Sequence, residues 1–255
     1  MQKHVFKGDM LDTVWGKMYV RSAGDGEPVV LVHGLGVSGT YFLRSAELLA
    51  RDFAVLIPDL PGSGRSAKPR HVLNVAQLAD VLAEWITQAG LQPVHWIGNS
   101  FGCQVVIELG VRYPHLLRSA TLLGPTIEAQ ARSAMRQLFR LALDASREPF
   151  SEIGIALMDY LRFGPRRFWR TFVHAREDRI EEKLWQFKVP TLVMHGGRDP
   201  IVPQHWAELV TGLLPDARLV TIPEAAHTVH YSHPEEFTRT VSDFIRTCRG
   251  LAQKP

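Results

Sequence analysis

The chain has 255 residues, 45% of them apolar and 22% charged, with a formal net charge of +3, a make-up that fits a globular protein and excludes a disordered or fibrous one. No Lys/Arg run exceeds the pair Arg166-Arg167, which argues against a nucleic-acid partner, and no stretch of about 18 apolar residues offers a membrane span. Cys103 and Cys248 are too few for a disulfide framework and read as free thiols, and residues 1–10, charged at Lys3, Lys7 and Asp9, lack a signal peptide's apolar core, so a cytoplasmic location is expected.

Residues 10–23 read as an opening hairpin, Thr13-Val14-Trp15 and Met18-Tyr19-Val20 flanking Gly16-Lys17. Val29-Val30-Leu31-Val32 has no polar alternation, as expected of a strand buried on both faces. His33-Gly34-Leu35-Gly36 follows, then a helix over about 40–51 and a second buried strand at Ala54-Val55-Leu56-Ile57. Leu78, Val81, Leu82, Trp85 and Ile86 share one helical face between the candidate caps Asn74 and Gly90. Val94-His95-Trp96-Ile97 is a strand that runs into Gly98-Asn99-Ser100-Phe101-Gly102, after which Val105, Val106, Leu109 and Tyr113 recur at helical spacing up to Pro114. Further strands are expected at 120–123, 191–194 and 219–222, and a closing helix over 234–248. Strand and helix alternate, which predicts a parallel sheet covered on both faces, with right-handed crossovers.

Residues 125–188 break the rhythm. They carry helical patterns (Met135, Leu138, Phe139, Ala142; then Ile153, Leu157, Tyr160, Leu161) and no strand, and about 60 residues is too long for a crossover. The expected organisation is a core of residues 1–124 and 189–255 with a helical cap inserted over the carboxyl edge of the sheet, where open α/β sheets bind ligands. Arg132, Arg136 and Arg140, at four-residue spacing, read as a solvated helix face in preference to an anion clamp. Leu138, Phe139, Leu143, Phe150, Met158, Tyr160, Phe163, Phe168 and Trp169 are candidates to pack the cap or to line an apolar pocket.

The chemistry centres on G-x-S-x-G. A serine on a sharp strand-to-helix turn takes a strained backbone, and its small neighbours Gly98 and Gly102 give the clearance that lifts the hydroxyl out of the sheet and aims the Phe101 amide at the reacting group. A serine hydroxyl needs a base, and the base needs an orienting group. Asp199 and His227 each lie one loop past a predicted strand and emerge on the rim that carries Ser100. His195, His230 and His233 compete as the base, and Glu128 as the acid. The second oxyanion donor is expected from the loop after Val32, as the amide of Leu35 or, second to it, of Gly36. Gly34, Gly36 and Asn99 are the expected substrate contacts.

With these pieces, and with Asp59-Leu60-Pro61-Gly62-Ser63-Gly64-Arg65-Ser66, Gly197-Arg198-Asp199-Pro200, Val202-Pro203 and Ala226-His227, the chain resembles the α/β-hydrolase superfamily over nearly its whole length. The resemblance implies an α/β-hydrolase fold: an eight-stranded, mostly parallel sheet with helices on both faces, a helical lid and no cofactor. It also implies the chain order Ser, Asp, His, which Ser100, Asp199 and His227 follow. The expected activity is cleavage of small to medium carboxylic esters through an acyl-enzyme. The partner is then a small-molecule ester, with no metal, and both monomer and homodimer stay open.

Three other readings stand beside it. Gly98-Asn99-Ser100 is similar to the elbow of carbon–carbon bond hydrolases of ring-cleavage products, although Leu35-Gly36-Val37 lacks their glycine-proline pattern and Thr228 stands where they carry an aromatic. Lactone hydrolysis and perhydrolysis use the same triad, and some proteins of this fold bind without turnover. Gly34-Leu35-Gly36-Val37-Ser38-Gly39 also fits G-x-G-x-x-G, with Asp59 about 20 residues on as a ribose-binding acid; a dinucleotide site leaves Ser100, Asp199 and His227 without a role.

Overall fold

A computed structural model describes residues 5–251, with side chains described to Cys248; of the N-terminal stretch read for a leader, residues 1–4 lie outside it. The opening hairpin pairs β1 (Lys7–Thr13) with β2 (Gly16–Ala23). Its turn is Val14-Trp15 rather than Gly16-Lys17: Thr13 pairs with Gly16, and the Thr13 hydroxyl donates to the Gly16 carbonyl at 2.6 Å and accepts the Trp15 amide at 3.2 Å. Residues 7–9 extend β1 beyond the expected start. They are exposed, so no apolar alternation marks them as strand.

The chain continues through β3 (Glu27–Val32), α1 (Leu43–Leu49), β4 (Phe53–Pro58), α2 (Val75–Gln88), β5 (Val94–Asn99), α3 (Phe101–Arg112) and β6 (Leu117–Leu123). Asn74 caps α2 reciprocally with Gln77, as its sequence suggested. After β6 come α4 (Ala134–Ala145), α5 (Phe150–Phe163) and α6 (Pro165–Glu177), with no strand among them. The sheet then resumes with β7 (Thr191–Gly196), α7 (Gln204–Leu213) and β8 (Ala217–Ile222), and the chain closes with the short α8 (Val229–Ser232) and the long α9 (Pro234–Leu251).

The eight strands lie in the order β1-β2-β4-β3-β5-β6-β7-β8. β1 and β2 are antiparallel to their neighbours, and every pairing from β4 to β8 is parallel. Alternate residues of β3 feed two separate cores. Val30 and Val32 pack with α2, α3 and α7, while Val29 and Leu31 pack with α1 and α9. Burial on both faces is why these strands read as unbroken apolar runs. Among the described residues, no helix is long and apolar enough to cross a membrane, and both cysteines are buried and free.

The helices between β6 and β7 are tied to the rest by polar contacts. Gln104 on α3 donates to the Ala175 carbonyl at 2.8 Å, and Asp159 on α5 accepts the Ser38 hydroxyl at 2.6 Å. The three arginines correct both sequence readings. Arg132 precedes α4 and forks onto Glu181, Arg140 pairs with Glu128 at 2.6 Å, and both are mostly covered. They pin the helical segment; Arg136 alone is exposed, on the Gln130 carbonyl.

Candidate active site

The turn at Ser100 depends on its two glycines. A Cβ on Gly98 would lie 2.6 Å from the Gly102 carbonyl oxygen, and one on Gly102 would lie 2.2 Å from that of Val32, in each case against backbone that cannot step aside. With that clearance Ser100 adopts φ 56° and ψ −118°, the one positive φ of a non-glycine among the described residues. A conformation of this kind costs about 1–3 kcal/mol. It is held by the Ser100 amide on the Leu123 carbonyl and the Cys103 amide on the Ser100 carbonyl, both at 2.9 Å.

Asp199 and His227 meet beyond the ends of β7 and β8. His227 Nδ1 lies 2.6 Å from Asp199 Oδ2, with side chains 6% and 0% exposed. The other oxygen of Asp199 accepts the Ile201 and Val202 amides at 2.7 and 3.0 Å, which fixes the carboxylate plane. A proton on Nδ1 therefore faces the acid. Nε2 is buried with no partner among the described residues. Burial disfavours the charged ring, but the charge and hydrogen bond of Asp199, helped by Asp144 and Glu148, outweigh it and raise His227 to about 9.

Ser100 and His227 line one cavity of about 270 Å³, together with Gly34, Leu35, Asn99 and Phe101. The amides of Leu35 and Phe101 have no acceptor among the described residues; Phe101 opens α3, whose first N–H groups have no intrahelical partner. Leu141, Ile153, Leu157, Tyr160, Phe168 and Phe172 supply the apolar wall. Of the nine apolar residues singled out in residues 125–188, Tyr160 and Phe168 reach the cavity, while Phe139, Phe150, Met158 and Trp169 are at least half exposed.

One expected substrate contact lies elsewhere. Gly36 lies outside this cavity, against the rings of Tyr160 and Phe168. Asn99 reaches it, but its side chain is engaged: Oδ1 accepts the Tyr41 hydroxyl at 2.7 Å and Nδ2 donates to the Leu123 carbonyl at 3.2 Å. The rival residues stand elsewhere. His195 Nε2 bonds the Val202 carbonyl at 2.9 Å, His230 is buried between Tyr41 and Phe42, and His233 ends α8. Glu128 pairs with Arg140 and His205.

The G-x-G-x-x-G segment has no free acid. Asp59 is fully buried and accepts from Arg21 at 2.7 Å and from the Gly39 and Arg65 amides at 2.9 Å each. His33 is structural as well: Nδ1 donates to the Gly34 carbonyl and Nε2 accepts the Leu60 amide, and burial lowers its pKa. Sequence reasoning passed over Tyr41 and the carboxyls of Asp144, Glu148 and Glu152, and read Thr228 only as a departure from an aromatic; all of them line the cavity. A spacing of four residues across 144, 148 and 152 was the signal available.

The sequence pattern of the alpha/beta hydrolase family matches residues 29–240. The chain belongs to the alpha/beta hydrolase family. Its relatives within the alpha/beta hydrolases include the pimeloyl-[acyl-carrier protein] methyl ester esterase of Chromobacterium violaceum, 28% identical over 90% of this chain and 98% of that protein. The 2-hydroxy-6-oxo-6-phenylhexa-2,4-dienoate hydrolase of Burkholderia cepacia is 23% identical over 90% of this chain and 91% of that protein. An esterase from Exiguobacterium antarcticum superposes with a TM-score of 0.83 at 20% identity, covering 94% of this chain and all (100%) of that one, a likeness of alpha/beta hydrolase fold.

Proposed function

We propose that this alpha/beta hydrolase is a serine esterase of small to medium carboxylic esters. The observation that carries the reading is His227, bonded through Nδ1 to Asp199 at 2.6 Å and free at Nε2, in the cavity that also holds the strained Ser100. In this reading Ser100 Oγ attacks the ester carbonyl while His227 Nε2 takes its proton. Asp199 holds the ring and stabilises the imidazolium. The Leu35 and Phe101 amides receive the oxyanion. The proton passes to the leaving alcohol, and water activated by His227 then attacks the acyl-Ser100 ester and releases the acid. Helices α4 to α6 act as the lid and supply the apolar wall of the acyl site.

Carbon–carbon bond hydrolysis of a ring-cleavage product is the less favoured reading. Such a dienoate is an anion, and the cavity wall carries three carboxyl groups (Asp144, Glu148, Glu152) with neither Lys nor Arg. A panel of p-nitrophenyl esters of rising chain length, run beside one ring-cleavage dienoate, tests the choice. Turnover of the esters, abolished in Ser100→Ala, is expected; dienoate cleavage with negligible ester turnover contradicts the proposal.

A further inference from the structure

One part of the cavity wall is built from acceptors. Asp144 of α4, Glu148 of the turn after it and Glu152 of α5 all line it. Each commits one oxygen to the loop that carries His227. Asp144 Oδ1 accepts the His227 amide at 3.4 Å, Glu148 Oε1 the Thr228 amide at 2.8 Å, and Glu152 Oε2 the Thr228 hydroxyl at 2.6 Å. Glu148 Oε2 accepts from no N–H among the described residues, the Glu148 and Glu152 carboxyls hydrogen-bond to one another, and no Lys or Arg among the described residues pairs with any of the three.

One further group in the same wall lacks a partner: Gln137, 6% exposed, gives Nε2 to the Ala131 carbonyl and leaves Oε1 unbonded. Buried carboxylates are costly unless they are protonated or paired. Burial, with neighbouring carboxyls adding and the charge of His227 opposing it at Asp144, raises Asp144 to about 7 and Glu152 to about 9. The Tyr160 ring completes the wall, close enough for the charges of Asp144 and Glu152 to act on its hydroxyl. Among the described residues no group of His, Cys, Asp and Glu has metal-holding geometry; carboxyl and amide oxygens in one wall are complemented by an organic cation with several N–H donors.

The geometry points to a cation subsite beside Ser100: the cavity accepts an ester whose acyl or leaving portion bears an ammonium group, held by Asp144, Glu148 and Glu152 against the Tyr160 ring. The turnover of such an ester rests on the esterase reading; the binding of the cation does not.

Calorimetric titration of the whole protein with hexylammonium chloride and with 1-hexanol, near neutral pH, tests this. Hexylammonium is expected to bind at least about tenfold tighter, as charge-assisted bonds to carboxylates provide. Binding is expected to release a proton, read from the dependence of the heat on buffer. The other titratable groups turned to these carboxyls are Tyr41, Tyr160, His227 and Asp199. The double variant Glu148→Gln/Glu152→Gln keeps carbonyl acceptors for Thr228, so a purely structural role predicts little change. The subsite predicts loss of both the preference and the proton release.

Equal affinities in the wild type, or a preference that survives in the variant, overturn the proposal. The ratio of kcat/KM for p-nitrophenyl 6-aminohexanoate over the heptanoate ester follows the same pattern. If neither ester is cleaved while hexylammonium binds selectively, the esterase reading fails and the subsite stands.

Discussion

Tyr41 and Asn99 share a hydrogen bond of 2.7 Å that joins the serine turn to the loop after β3. The Tyr41 hydroxyl donates to Asn99 Oδ1 and accepts the Gly34 amide at 2.8 Å, so one phenol holds the segment of Phe101 and the segment of Leu35 in register. Burial keeps the proton on that phenol far above its ordinary range. Asn99, one residue before Ser100, is therefore held through its side chain.

Tyr41→Phe leaves the Gly34 amide and Asn99 Oδ1 buried without partners, at a cost of about 1–3 kcal/mol in urea denaturation. Because the two proposed oxyanion donors lose their common anchor, kcat is expected to fall while KM changes little. A fall confined to KM would show that the phenol serves substrate binding instead.

Asp199→Asn keeps an oxygen for the Ile201 and Val202 amides but presents an N–H to His227 Nδ1. The ring then carries its proton on Nε2, where a base must be free. A fall in kcat of about 10³–10⁴ is expected, with the melting temperature nearly unchanged.

The pH dependence follows from the charges around His227. Asp144 and Glu148 raise its pKa along with Asp199, and the base works only when neutral. Removing a negative charge stabilises the neutral ring, so Asp144→Asn is expected to move the acid limb of kcat/KM to lower pH. A limb that stays in place or moves up contradicts the assignment of His227 as the titrating base.

Much of this was legible in the sequence for a physical reason. Strands such as β3 and β5 are buried on both faces and announce themselves as apolar runs, and the serine turn announces itself through Gly98 and Gly102. Residues 7–9 were not legible, because an exposed edge strand is held by backbone bonds that leave no pattern in its side chains. Tyr41 was missed because nothing in its neighbourhood distinguishes a phenol that bonds across to Asn99 from one that merely packs. Arg132 and Arg140 were misread because spacing cannot tell a solvated face from one whose partners, Glu181 and Glu128, come from outside the helix. The cavity wall was the least legible part: which side chains of α4 to α6 turn inward is decided by the packing of helices on one another.

Two glycine substitutions separate clearance from chance. Gly102→Ala forces a Cβ to within 2.2 Å of the Val32 carbonyl in the sheet, and a loss of about 1–3 kcal/mol is expected together with loss of turnover. Gly154→Ala on α5 meets nothing within 4 Å and is expected to be neutral or to stabilise by up to about 1 kcal/mol. Chemical denaturation of the two variants side by side reads both outcomes.

The central claim is that Ser100 is a nucleophile activated by His227. Intact-mass and peptide mapping after treatment with a fluorophosphonate tests it most directly. One phosphonyl adduct on the peptide containing Ser100 is expected, absent in Ser100→Ala and strongly slowed in His227→Ala. An unlabelled protein, or an adduct on another residue that persists in Ser100→Ala, would contradict it.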